Sequence, residues 1–417
     1  MQKRVYRGIP LAKFKIESIQ EEVSGRRVVF GVDVGKDVMA GTFMTETQKA
    51  AANIMWRNPW DTREVLRVLE ALPARQIEVA LEPSGTYGDP FRHQCAKRGI
   101  PVYRVSAKRS HDAAEVFDGV PSWHDVKSAG VIARLHLAGA SHEWRERTED
   151  EQELAAAVRV MVMHDSHAHN NMNRLEAMLS RHWPEITAHL GLGTMTLYRM
   201  LEVSGGPRWV SENSAEAVKQ VQRWGGTFLS SESVKGAVAS AKTTTGVPMI
   251  AAEESMVREM SAEILRCRKA TQKMKNRVTR LVIDHSEARP MAKVIGVRAT
   301  AAMVASGMNP VHYENPASLV KALGLNLKER SSGKYKGQLK ITKRGPGICR
   351  FYLYLAVLRL IQREPAFKRW YDAKVVRDGG KIKNKAIVAL MRKLTSAMWY
   401  VARGDAFEPT KLIPAKG

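Results

Sequence analysis

Val28-Val29-Phe30-Gly31-Val32-Asp33-Val34-Gly35-Lys36-Asp37 is an apolar, β-branched run with one carboxylate near its far end and a Gly-Lys-Asp turn behind it. Such a run reads as a buried strand that delivers Asp33. A carboxylate between two valines is costly to bury alone, so a metal ion, a base or a proton must neutralise it. Two later stretches are suited to meet it. Gln76-Ile77-Glu78-Val79-Ala80-Leu81 is a second strand that runs into Glu82 and breaks at Pro83-Ser84-Gly85. His124-Asp125-Val126-Lys127-Ser128-Ala129 opens a helix with an acid in its first turn. Asp33, Glu82 and Asp125 together would form a hard-oxygen pocket suited to Mg²⁺.

Around these acids, residues 26–140 alternate as mixed α/β: three adjacent strands, then helices and strands in turn. That order predicts an RNase H-like sheet, a fold that hosts metal-assisted phosphodiester chemistry. Residues 1–25 read as a loose basic arm. Residues 141–288 are helical: Leu154, Val158, Met161, Asp165, Ala168, Met172, Leu175 and Leu179 step by four and three, as do Val257, Met260, Ile264, Cys267, Thr271, Met274, Val278 and Leu281. Both predict coiled-coil seams, paired with each other or with a second subunit. Between them, 182–250 carries Gly and Thr clusters and reads as an insertion with loops. His164, His167 and His169 invite a metal reading, but no carboxylate or cysteine spacing completes a zinc pattern, and a solvated or nucleic-acid-facing surface is the simpler account.

From 289 to 417 the pattern is mostly helical, interrupted by a basic loop. Between Leu325 and Gly345 there are seven Lys or Arg and a single acid. Lys334, Lys336, Lys340, Lys343 and Arg344 here, with Lys385, Arg392 and Lys393 further on, are candidate phosphate contacts. The whole chain has 417 residues with 66 Lys and Arg against 42 Asp and Glu, a net charge of +24. An excess of that size points to a polyanionic partner, nucleic acid first. Three distant cysteines, Cys95, Cys267 and Cys349, fit neither a disulfide framework nor a zinc site, so a reducing, cytoplasmic setting is expected. No run of about 18 apolar residues is present, and no membrane association is expected.

These motifs resemble the insertion-sequence-one-ten family of transposases, relatives of the Piv DNA invertase. The match rests on Gly31-Val32-Asp33, on Leu81 to Tyr87, on His124 to Ala129, and on Gly324-Leu325 through Ser332-Gly333 with Ile341 to Gly345. The resemblance implies a RuvC-like domain bearing a D-E-D-D set and a carboxy-terminal transposase domain bearing a serine. It implies that Ser332 attacks a DNA phosphodiester and forms a phosphoserine link, with Mg²⁺ held by Asp33, Glu82, Asp125 and Ser128. It further implies donor and target DNA, a structured guide RNA, and a homo-oligomer, dimer or tetramer. Ser331 and Tyr335 are the alternative nucleophiles. Ser128 stands where the family has its fourth acid. Three readings stay open: the hydroxyl serves, His124, Asp112, Glu115 or Asp118 substitutes, or the site is impaired. A nuclease without a covalent step and a nucleic-acid scaffold are the competing functions.

Overall fold

The computed structural model describes residues 7–83, 85–120, 124–329, 331–332, 335–337 and 339–413; the side chains of Ser331, Tyr335 and Lys336 fall outside that description. Lys334, among the expected phosphate contacts, lies outside the described residues. The chain divides into two compact units, residues 1–146 and 147–417.

The first unit is built on a seven-stranded sheet. Its strands are β1 (Ile9–Pro10), β2 (Arg27–Asp33), β3 (Val38–Thr45), β4 (Ala50–Arg57), β5 (Gln76–Leu81), β6 (Val102–Val105) and β7 (Ser141–Glu143). They lie in the order β1-β4-β3-β2-β5-β6-β7, with β2 antiparallel to β3 and parallel to β5. Helices α1 (Gln20–Val23), α2 (Thr62–Ala71), α3 (Asp89–Lys97), α4 (Ala107–Asp112) and α5 (Asp125–Leu137) complete the unit.

The period-two alternation of β2 divides its side chains between two cores. Val28, Phe30 and Val32 join Val65, Leu66, Leu69, Phe91 and Cys95 on one face. Val29 joins Ile132 and Ala133 of α5 on the other. Gly31 and Asp33 share the α5 face by the same alternation. Residues 9–23 do not form the expected loose arm: β1 pairs with β4, and Leu11, Ile19 and Val23 are buried in the sheet core. Apolar side chains at those three positions outweigh the basic composition that suggested an arm.

The second unit begins with α6 (Glu149–His182), followed by α7 (Ile186–His189), α8 (Met195–Ser204), α9 (Pro207–Glu212), α10 (Ser214–Gly225), α11 (Ser231–Thr243) and α12 (Ala251–Asp284). Helices α6 and α12 pair with each other, antiparallel: Arg277 meets Glu153 at 2.7 Å towards one end and His182 meets Glu253 at 3.5 Å at the other. The segment between them is five helices rather than loops. Trp183, Leu197, Tyr198, Leu201, Val210, Val221 and Val234 give it a core that it shares with the adjoining ends of α6 and α12. The Gly and Thr clusters that suggested loops fall largely at helix ends and in the links between helices.

The chain continues through α13 (Ala288–Ile295), α14 (Val297–Ala305) and α15 (Pro316–Ala322), then four two-residue strands, β8 (Leu327–Lys328), β9 (Ser331–Ser332), β10 (Tyr335–Lys336) and β11 (Lys340–Ile341). It finishes with α16 (Gly347–Arg363), α17 (Pro365–Arg377), α18 (Lys383–Val401) and α19 (Pro409–Leu412). Leu353, Val357, Leu390, Leu394 and Met398 pack into one core with Leu154, Val158 and Val278. Among the described residues no helix is long and apolar enough to cross a membrane.

Candidate active site

Asp33 ends β2, and the parallel register Val32↔Leu81 sets Glu82 beside it at the same edge of the sheet. Asp125 and Ser128 arrive on the first turn of α5. That helix can lie against β2 because Gly31 has no side chain. A Cβ there would stand 2.3 Å from the Ala129 carbonyl oxygen and 2.8 Å from Ala133 Cβ. The far end of α5 is tied down by His136, whose Nε2 lies 2.8 Å from Glu78 on β5. Its start is capped by His124, which accepts the Lys127 N–H through Nδ1 at 3.3 Å.

The electrostatics of Asp33 report the company it keeps. Its pKa is pushed up from 3.8 to about 6 by burial first, then by the charges of Asp125 and Glu82. The Ser128 hydroxyl and the Val34 N–H partly offset this. The three acids therefore lie near enough to one another for Asp125 and Glu82 to act on Asp33. Ser128 is 7% exposed and acts on Asp33, yet its Oγ makes no hydrogen bond of normal geometry, so the contact is off-line. Glu82 is held by Ser110 of α4, which is 1% exposed and donates its hydroxyl to Oε2 at 2.5 Å.

Like-charged carboxylates and a buried hydroxyl turned towards one of them are the kinds of donor that a divalent-cation site uses. The donors fit such an ion in kind. Their oxygens do not all fall within 4.8 Å of one another, so gathering on one ion requires side-chain rotation. Of the possible stand-ins for a fourth acid, three are engaged elsewhere and one is exposed. Asp118 takes the Lys127 ammonium at 2.9 Å, and that lysine is 2% exposed. Asp112 takes Lys108 at 2.5 Å, Glu115 is exposed, and His124 caps α5. Ser128 is the one drawn towards Asp33.

The second candidate element is a short arm. Strands β8 and β11 pair antiparallel at its base, Lys340 opposite Lys328, and β9 pairs with β10 beyond them, Tyr335 opposite Ser332. Ser332 is exposed. The base is pinned closely: Gly324 has φ +68°, and a Cβ there would lie 2.4 Å from the Arg344 carbonyl oxygen. Lys343 N–H donates to Gly324 O at 2.9 Å, and Arg350 donates to the carbonyls of Leu323 and Gly345 at 3.1 and 2.9 Å.

Lys340, Lys343 and Arg344 are exposed on this arm; Lys385, at the start of α18, is exposed too, with Asp378 at 3.6 Å. Arg392 is half-buried and its Nε is enclosed without a partner. Lys393 donates to the Leu412 carbonyl at 3.2 Å and lies over the Trp370 ring, so its charge already serves the fold.

Sequence reasoning missed Ser110 and Lys127. Neither stands out in its segment, and both matter only through tertiary contacts. Residues 30–184, which include all four pocket residues, match a family model described as Transposase, of the DEDD type. Residues 292–372, which include Ser332, match Transposase IS116/IS110/IS902 family. No curated protein matches the chain.

Proposed function

From a chain that carries transposase domains of the IS110/IS116/IS902 family and is a DNA transposase/recombinase, we propose a covalent mechanism in which Ser332 is the nucleophile. The observation that carries this reading is the pocket of Asp33, Glu82 and Asp125 in one domain, together with an exposed serine on a braced basic arm in the other. The strand order supports an RNase H-like, RuvC-like assignment for residues 26–140, with 289–417 as the serine transposase domain.

In the proposed step Ser332 Oγ bonds to a backbone phosphorus, its proton departs, and the displaced deoxyribose oxygen takes up a proton. The reverse attack rejoins the strand. A serine hydroxyl needs activation and its transition state needs positive charge, which Lys340, Lys343 and Arg344 are near enough in sequence to supply. Asp33, Glu82, Asp125 and the Ser128 hydroxyl would hold Mg²⁺, which when bound supplies Lewis-acid stabilisation of phosphate charge. The net charge of +24 suits binding DNA and RNA at once, while the structured guide RNA and the homo-oligomer rest on the family resemblance.

Denaturing gels of protein incubated with element-end DNA test the proposal. Wild type should yield a protein–DNA adduct, Ser332→Ala none, and Asp33→Asn at most a trace. Strand cleavage that persists in Ser332→Ala without adduct would replace the covalent route with a plain nuclease. Sequencing RNA that copurifies with the protein tests guidance separately.

A further inference from the structure

The seam between α6 and α12 is apolar at both ends and polar in the middle. Leu175 and Leu179 pack with Val257, Met260 and Ile264 in one cluster, and Leu154, Val158 and Met161 pack with Val278 and Val282 in another. Between these layers the seam carries Ala168, Cys267 and Thr271, all buried, while Asp165 is exposed. Cys267 and Thr271 are 0% and 2% exposed, and the Thr271 hydroxyl and His164 Nδ1 are enclosed without partners. A buried polar atom without a partner is costly, so this layer is not what helix pairing alone would select.

Three of its neighbours converge. His167 of α6, and Glu263 and Cys267 one turn apart on α12, place one nitrogen, oxygen and sulfur atom within 4.8 Å of one another. Among the described residues this is the one group of three or more His, Cys, Asp or Glu gathered so closely. We propose that His167, Glu263 and Cys267 form a binding site for a borderline transition-metal ion, best suited to Zn²⁺, that clamps α6 to α12.

The chemistry of the donors selects the ion. Thiolate and imidazole disfavour Mg²⁺ and Ca²⁺, while a mixed N, O, S set suits Zn²⁺ or Co²⁺ in a tetrahedral arrangement. Ligand atoms around such an ion stand about 3.3–3.8 Å apart, so the three need close by only about an ångström.

The place of the ion is held by a proton: Cys267 Sγ–H donates to Glu263 Oε1 at 3.1 Å. On binding, the sulfur–proton bond breaks, the proton passes to solvent, and the sulfur lone pair takes the ion. Arg266 grips both Glu263 oxygens at 2.6 Å, through Nε to Oε2 and through its terminal nitrogen to Oε1. When Oε1 turns to the ion, the bond from Nε to Oε2 can remain as the outer support that metal-bound carboxylates usually have. His167 is exposed, which leaves a fourth position for water.

Co²⁺ titration of the full chain tests the site, because a thiolate ligand gives a near-ultraviolet sulfur-to-cobalt charge-transfer band that the all-oxygen pocket of the first domain cannot produce. The band should saturate at one equivalent, be displaced by Zn²⁺, vanish in Cys267→Ser and weaken at least tenfold in apparent affinity in His167→Gln. Zn²⁺ should raise the melting temperature of wild type by more than that of His167→Gln, whose exposed position spares the fold and whose remaining shift reports the first domain's pocket alone. No band in wild type, or an undiminished band in Cys267→Ser, would overturn the proposal, leaving Cys267 as a packed thiol and Glu263–Arg266 as a surface ion pair.

Discussion

Burial and the charges of Asp125 and Glu82 make an ionised Asp33 costly to hold. An acid whose folded pKa is raised destabilises the fold as pH climbs: between 3.8 and about 6 the unfolded chain has released its proton and the folded chain has not. Asp33→Asn should therefore raise the stability of the metal-free protein at pH 7 by about 1 kcal/mol, with solvent at the half-buried carboxylate screening the repulsion, while adduct formation is lost. Chemical denaturation at pH 4 and pH 7 checks it, since the gain should shrink at the lower pH. Divalent-cation affinity should rise as pH passes through about 6, because the ligand must shed its proton first. Ser110→Ala should leave the fold within about 1 kcal/mol of wild type while weakening cation binding roughly tenfold, the effect expected for losing the group that orients a ligand; calorimetric titration with Mn²⁺ reads it. Asp33 and Glu82 were legible in the chain by strand-end position, and Asp125 by a helix start. Ser110 was not, because its role depends on where α4 comes to rest.

At the scale of elements, the contact between β2 and α5 decides whether the pocket exists. Gly31→Ala would drive a methyl into the Ala129 carbonyl, so it should cost about 1–3 kcal/mol and remove activity as the helix backs away with Asp125 and Ser128. Thermal melts and adduct assays on the same sample would show whether the two losses go together. The heptad pattern identified both long helices before any coordinates. It was silent on their pairing, since a seam carries no record of its partner. The histidines complete no metal pattern in the sequence for a related reason: the groups that meet His167 lie about a hundred residues away on α12, where no spacing rule reaches. The helices of 182–250 and the buried arm were lost to composition, which sees glycines and lysines but not the apolar residues set between them.

For the molecule as a whole, the net charge predicts how binding responds to salt. DNA affinity should fall steeply with ionic strength, and removing Lys343 and Arg344 together should flatten the log–log slope by about two if both touch phosphate. Fluorescence anisotropy between low and moderate salt measures that slope. Lys393→Ala should change it little and lower stability instead, because that ammonium is committed to the Leu412 carbonyl.

The antiparallel pairing of α6 with α12 has a consequence for biosynthesis. The first helix leaves the ribosome about a hundred residues ahead of its mate, so at roughly 5–20 residues per second its greasy stripe waits on the order of 5–20 s uncovered. Nascent chains stalled before Ala251 should accordingly recruit holdase chaperones, and those released beyond Asp284 should shed them.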